Sequence, residues 1–137
     1  MDTYKIKIKN SQPTNNYIEV YSPYDANVIA KMEMADDNAI ELALQNSVNY
    51  YNKIMKNMPT HKRADILHNV AQQIRDNHEE LSMTIAKEGG KPLTDARAEV
   101  KRAINTVETC AHVALTIHGE ELRMDRTQKG ENHTAFT

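Results

Sequence analysis

Glu88-Gly89-Gly90-Lys91-Pro92-Leu93-Thr94-Asp95-Ala96-Arg97-Ala98-Glu99-Val100-Lys101-Arg102-Ala103-Ile104 is the stretch on which the fold turns. Paired glycines followed two residues later by proline read as one helix ending and another beginning. Glycine takes the left-handed cap without penalty, and proline at the first helical position gives up no hydrogen bond that was available. From there Leu93, Ala96, Val100, Ala103, Ile104, Val107, Cys110, Ala111, Ala114 and Ile117 recur three and four apart, the spacing of a long helix packed along one side and closing at Gly119.

Upstream the same period continues. Asn77 and Glu80 have capping spacing ahead of a short helix through Leu81, Ile85 and Ala86. Before it, Thr60 is an N-cap candidate for a helix with the stripe Ala64, Leu67, Val70, Ala71 and Ile74, and Ile66 on its flank. Asp36 or Asp37 caps the first helix, whose apolar face takes Ile40, Ala43, Leu44, Ser47, Val48, Tyr51, Ile54, Met55 and Met58 before Pro59 stops it. Four helices are thus expected over residues 36–119.

The two ends read differently. In residues 1–35, Tyr4, Ile6 and Ile8 alternate with Lys5, Lys7 and Lys9, Tyr17 to Tyr21 alternates again after the polar loop Ser11–Asn16, and Val28 to Met34 follows a turn at Ser22–Asn27. Period two marks strands, here expected to be short and antiparallel. Residues 120–137 read as a polar linker and the start of a strand at Thr134-Ala135-Phe136-Thr137, which suggests an incomplete chain. The expected class is therefore α/β overall, with this segment mostly α-helical.

Composition excludes more than it assigns. The 137 residues carry a formal net charge of -2, so there is no general attraction to phosphate backbones or anionic lipid, and no nucleic-acid partner is expected. No window reaches the roughly 20 apolar residues of a membrane span, and Met1-Asp2-Thr3-Tyr4-Lys5 has no basic-then-apolar leader; a cytoplasmic setting is expected. Four glycines, at 89, 90, 119 and 130, assemble neither G-x-G-x-x-G nor G-x-S-x-G. Gly90-Lys91 is not a phosphate loop either, because Ile85 and Pro92 stand where that loop needs Gly and Ser or Thr.

Candidate chemical groups are few. Cys110, the only thiol, sits on the apolar row late in a helix, with no helix N-terminus or cationic neighbour in sequence, and reads as a small buried hydrophobe. His61, His68, His78, His112, His118 and His133 contain no H-x-x-x-H pair, so no two share a helical turn around a metal, and no metal site is expected. Asp36-Asp37 and Glu79-Glu80 open helices, where acids offset the macrodipole. Arg102 flanks the apolar row; its guanidinium either reaches a cleft and binds an anion, or pairs locally with Glu99 three residues before.

The order of signals resembles the N-terminal portion of the aldehyde dehydrogenase superfamily. The resemblance rests on Ser22-Pro23-Tyr24 before Val28-Ile29-Ala30-Lys31, a helix after Asp36, Lys62-Arg63-Ala64-Asp65-Ile66-Leu67, Glu88-Gly89-Gly90-Lys91-Pro92-Leu93, Ala96 to Ile104, Gly119-Glu120, and Gln128-Lys129-Gly130 before Phe136-Thr137. Its flavour is that of the lactaldehyde, phosphonoacetaldehyde and non-phosphorylating glyceraldehyde-phosphate dehydrogenase branch. Two departures stand in the turn, where the family usually has Gly for Ala26 and Asn for Ser22.

The resemblance implies that residues 1–137 are the incomplete N-terminal part of an NAD(P)-binding domain. The whole enzyme would oxidise a small, possibly anionic aldehyde with NAD or NADP and assemble as a homodimer or homotetramer. Its nucleophilic Cys, its Glu base, its oxyanion-holding Asn and the cofactor's glycine turn would lie elsewhere, leaving this chain inactive alone. It also implies that Arg102, in the E-V-x-R position, lines the substrate tunnel. The alternative is a helical protein-interaction module without catalysis. The two readings differ in a physical consequence: a fragment cut from its sheet and catalytic domain leaves helix faces unburied and is expected to be prone to association or only partly folded in isolation.

Overall fold

The computed structural model describes residues 2–137. Four helices dominate: α1 (Asp37–Lys53), α2 (Thr60–Asp76), α3 (His78–Gly89) and α4 (Leu93–Thr116). Three strands precede them, β1 (Asp2–Tyr4), β2 (Tyr17–Tyr21) and β3 (Val28–Glu33), and a small hairpin, β4 (Glu121–Arg123) with β5 (Thr134–Phe136), follows. Short 3-10 turns at Met55–Asn57 and Gln128–Gly130 complete the path.

Helix boundaries follow local chemistry, with corrections to the sequence reading at α4, where Pro92 is the N-cap and the helix closes at Thr116 before Gly119, and at three other points. Asp36 caps α1, its carboxylate accepting from the Ala39 amide at 2.7 Å. That helix ends at Lys53; Met55 belongs to the 3-10 turn, and the Arg63 guanidinium donates to its carbonyl at 2.6 Å and to that of Met58 at 3.1 Å. Thr60 is the first helical residue and not a cap; Pro59 holds the N-cap position, without a side-chain bond. Asn77 does not cap α3 with its side chain, because its amide donates backwards to the Gln73 carbonyl at 2.8 Å.

The sheet has the order β1-β3-β2, with β3 in the centre. β2 runs antiparallel to β3, but β1 runs parallel to it, so the expectation of wholly antiparallel strands is corrected. β1 also ends at Tyr4, before the lysine alternation. The reason is Glu33 at the end of β3: one carboxylate oxygen accepts from the Ile6 amide at 3.1 Å and the other from Thr14 at 2.7 Å. Those bonds hold the connecting loop off the ladder. Residues 120–137 likewise contain a paired strand in what reads as linker, with Glu121 opposite Phe136 and Arg123 opposite Thr134.

Packing centres on the seam between α2 and α4. Ala71, Val100 and Ile104 form its buried centre, with Ile74, Ile85 and Val107 against it. The contacts His68–His112 and Arg75–Glu108 advance along α2 while retreating along α4, so the two helices are antiparallel. Of the seven buried apolar residues five are alanines, which lets helices approach closely but buries little area. The stripe of α1 is the clearest casualty: Ile40, Leu44, Val48 and Tyr51 are each at least half exposed.

Surface area quantifies the deficit. The chain exposes 10942 Å², whereas a folded monomer of 15.6 kDa exposes about 7,200 Å² on the usual mass scaling. The surplus, about 3,700 Å², is more than four times what one partner gives to a standard protein–protein interface. Among the described residues, no helix is long and apolar enough to cross a membrane.

Candidate functional site at the junction of α3 and α4

Gly90 organises this junction. It closes α3 in the left-handed region at φ 61°, and a Cβ placed on it would lie 2.6 Å from Cγ of Pro23. The β2–β3 turn therefore docks directly on the backbone between the two helices. Only glycine satisfies both the dihedral and the approach. The turn is closed by Ser22 N–H to the Asn27 carbonyl at 2.8 Å and Ala26 N–H to the Ser22 carbonyl at 2.9 Å, and Ala26 itself has φ 57°.

One residue beyond Gly90, Lys91 reaches over the first two turns of α4, its Nζ 2.8 Å from Oε1 of Glu99. Arg102 approaches the same oxygen at 4.0 Å with its Nη2. Glu99 thus sits between two cations, and its carboxyl is held below the ordinary carboxylate range, first by the Lys91 hydrogen bond and, more weakly, by the charges of Lys91 and Arg102. Lys91 and Glu99 are about one-third exposed, Arg102 about three-quarters. The Arg102–Glu99 pair therefore exists, as one weak contact at the limit of ion-pair distance, and leaves most of the guanidinium open to an anion.

A second ion pair links the same helices. Arg97 donates from Nε to both oxygens of Glu79, at 3.0 and 3.2 Å, and from Nη2 at 2.8 Å, joining α4 to the first turn of α3. Arg97 holds the Glu79 carboxyl below its ordinary range, with a smaller contribution from His78. Neither Glu79–Arg97 nor Lys91–Glu99 was legible in sequence, since both join residues outside any helical or strand repeat.

Other candidates separate from this site. Cys110 is exposed on α4, which corrects the reading of a buried hydrophobe: the apolar row passes through Ala111, which is fully buried, and turns Cys110 and Ala103 outward. The histidines are dispersed except for His68 and His112, whose rings meet across the α2–α4 seam. Among the described residues, no group of three or more His, Cys, Asp or Glu side chains is arranged to hold a metal ion. A cleft of about 660 Å³ separates the sheet from α3, floored by Val20, Ile29, Ala30 and Leu81. Its charged lining, Asp2, Asp25, Glu80, Lys87 and Glu88, is predominantly acidic, and Arg102 does not line it.

Glycine placement tests whether a nucleotide cofactor has its cradle here. The space beside Gly90 is filled by Pro23, that beside Gly119 by the Thr137 carbonyl, and that beside Gly130 by the Met124 carbonyl. Each of these glycines admits protein backbone or a proline ring, not a phosphate. None of these three glycines is therefore a phosphate cradle.

Comparison with known proteins agrees on one family. The sequence profile of the aldehyde dehydrogenase family matches residues 8–137. A lactaldehyde dehydrogenase of Methanocaldococcus jannaschii is 37% identical over 94 residues, covering 69% of this chain and 20% of that protein. Among solved structures, aldehyde dehydrogenase 21 of Physcomitrella patens, in complex with the reaction product succinate, superposes with a TM-score of 0.87 at 27% identity, over 98% of this chain and 28% of that one. The glyceraldehyde-3-phosphate dehydrogenase of Methanocaldococcus jannaschii complexed with NADP gives a TM-score of 0.73 at 34% identity, over 79% of this chain and 24% of its own. The chain spans about a fifth to a quarter of the length of the curated relatives it matches.

Proposed function

The chain belongs to the aldehyde dehydrogenase family, and from that premise we propose that it is the N-terminal part of the cofactor-binding domain of an NAD(P)-dependent enzyme that oxidises a small anionic aldehyde to its acid. The observation that supports this reading is the combination of a family match over residues 8–137 with a surface surplus of about 3,700 Å². Such a surplus is what a wall of a larger enzyme leaves when considered by itself.

Within that reading the labour divides plainly. The cofactor, when bound elsewhere in the enzyme, would accept hydride. On this reading the attacking thiolate, the base that activates water and the glycine turn that holds the cofactor belong to polypeptide other than these residues: Cys110 lies on an exposed helix flank, and Gly90, Gly119 and Gly130 face protein backbone or Pro23. What this chain supplies is position and charge. Lys91 neutralises Glu99 and leaves the Arg102 guanidinium to orient the substrate's anionic group by a bidentate contact, which selects for charge remote from the carbonyl.

Two measurements test the proposal. NAD(P)H formation is followed with a panel of short aldehydes, first for the 137-residue chain and then for the chain within a family-length polypeptide. No turnover is expected from the first. In the second, Arg102→Leu is expected to raise KM for anionic aldehydes about tenfold or more while leaving neutral ones within a factor of two, as loss of one charge-assisted contact predicts. Turnover by the short chain would overturn the division of labour; equal effects on both aldehyde classes would overturn the role of Arg102.

A further inference from the structure

The histidines offer no ligand pair along any one helix, but the tertiary packing makes one. His68 on α2 and His112 on α4 face each other across the antiparallel seam, ring centroids 6.1 Å apart and planes at 84°. Both residues are exposed, and among the described residues neither ring makes a hydrogen bond. The seam beneath them is the best-packed part of the molecule, from Ala71 and Val100 to Ile104, so the two backbone positions are held together independently of the rings.

We propose that His68 and His112 form a two-imidazole site for a divalent first-row transition ion, zinc, nickel or copper, that staples α2 to α4. The distance carries the inference. With a metal–nitrogen bond of about 2.1 Å and about 1.1 Å more to the ring centre, two imidazoles on one ion have centroids from about 5.2 Å apart at a tetrahedral angle to about 6.4 Å when collinear. The observed 6.1 Å falls inside that window. Bridging needs the two exposed rings to turn a nitrogen toward a shared ion, with the helices already holding them near that spacing. Neutral imidazole nitrogens select these metals over magnesium and calcium, which demand oxygen. Water fills the remaining positions. Two carboxylates lie within a turn of the ligands in sequence, Asp65 three residues before His68 and Glu108 four before His112; Glu108 is engaged by Arg75 at 2.6 Å.

The test is titration of the full 137-residue chain with zinc chloride at pH 7.5, read by histidine ring signals in NMR and by thermal unfolding. Expected are one-to-one saturation, joint shifts of the His68 and His112 rings with the other four histidines unmoved, and a rise in Tm of about 5 °C or more at a hundredfold excess over Kd. Either H68Q or H112Q is expected to weaken binding at least tenfold and abolish the rise. Where the seam is loose in solution, zinc should instead increase helical ellipticity, again only with both histidines present. Binding that survives either single substitution, a magnesium response equal to zinc's, or saturation at another histidine would overturn the proposal.

Discussion

Gly90→Ala is the substitution that most directly tests how the α3–α4 junction is built. Two costs add. An alanine held at φ 61° pays about 1–2 kcal/mol for the left-handed conformation. Its Cβ would also stand 2.6 Å from Pro23 Cγ, so the ring must retreat by about 0.8 Å to reach ordinary contact, an overpacking penalty of about 1–3 kcal/mol. The sum, roughly 2–5 kcal/mol, is a large fraction of the 5–15 kcal/mol that holds an ordinary domain. Pro23→Ala separates the two costs, because it removes Cγ while keeping Cβ, which lies at a harmless 3.5 Å. Urea unfolding followed by far-UV circular dichroism, on wild type, both single variants and the double variant, gives the coupling energy. In the Pro23→Ala background the cost of Gly90→Ala should fall by about 1–3 kcal/mol, leaving the dihedral part alone. A Gly90→Ala cost below about 1 kcal/mol, or one that is the same in both backgrounds, would refute the claim that the β2–β3 turn and α3 meet at this atom.

Other consequences follow from single residues. Ala26 occupies the left-handed region at φ 57° in the turn that docks on Gly90, so Ala26→Gly should stabilise by about 0.5–1 kcal/mol, net of the greater freedom glycine has when unfolded; unchanged or lower urea midpoints would show the turn to be unstrained. Glu33 has its carboxyl held below the ordinary value of 4.5 by the Ile6 amide and then the Thr14 amide. A depressed folded-state pKa means the contribution is complete above the unfolded carboxylate range and disappears as pH falls through the lower folded value. Hydrogen exchange at Ile6 and Thr14 should accordingly accelerate, beyond the intrinsic pH trend, on acidification below about 4.5, and Glu33→Gln should show that faster exchange already at neutral pH. Identical exchange in wild type and variant would remove Glu33 as the anchor of the loop.

Helices were legible because their information is local. Asp36 precedes its helix with an acceptor, Gly90 and Pro92 punctuate the next boundary, and Ala96, Val100, Ile104 and Ala111 keep their spacing whatever they pack against. Strand direction was not legible: β1 pairs with β3 and not with its neighbour in sequence, and Glu33 holds Ile6 and Thr14 across 27 and 19 residues, contacts that no period announces. Cap chemistry failed at Thr60 and Asn77 for another reason. A residue with a capping side chain can also begin a helix or donate to the turn behind it, and sequence does not rank these. For the candidate site, Arg102 and Glu99 share one helix and were readable as a pair, whereas Lys91 enters from the preceding turn and became visible only when Gly90 had set its direction.

The misreading of Cys110 has a deeper source than local ambiguity, and the bare α1 face shows it too. Periodicity reports which side chains are apolar, and so which face is meant to be covered; it does not report whether the cover is present. Ile40, Leu44, Val48 and Tyr51 obey a helical period yet are 50 to 60% exposed, and Ile117, last on the α4 row, is 71% exposed. A self-sufficient domain does not carry such stripes bare, because each uncovered apolar side chain forfeits about 1.5–3 kcal/mol of burial. The pattern in α1 and at the end of α4 therefore describes a core larger than the one these 137 residues close. The buried part, mostly alanine along the α2–α4 seam, is the portion of that larger core which needs no outside partner. On the proposed reading the uncovered stripes are contact surface for further polypeptide, and the exposed Arg102 guanidinium is the part of that surface kept polar for substrate.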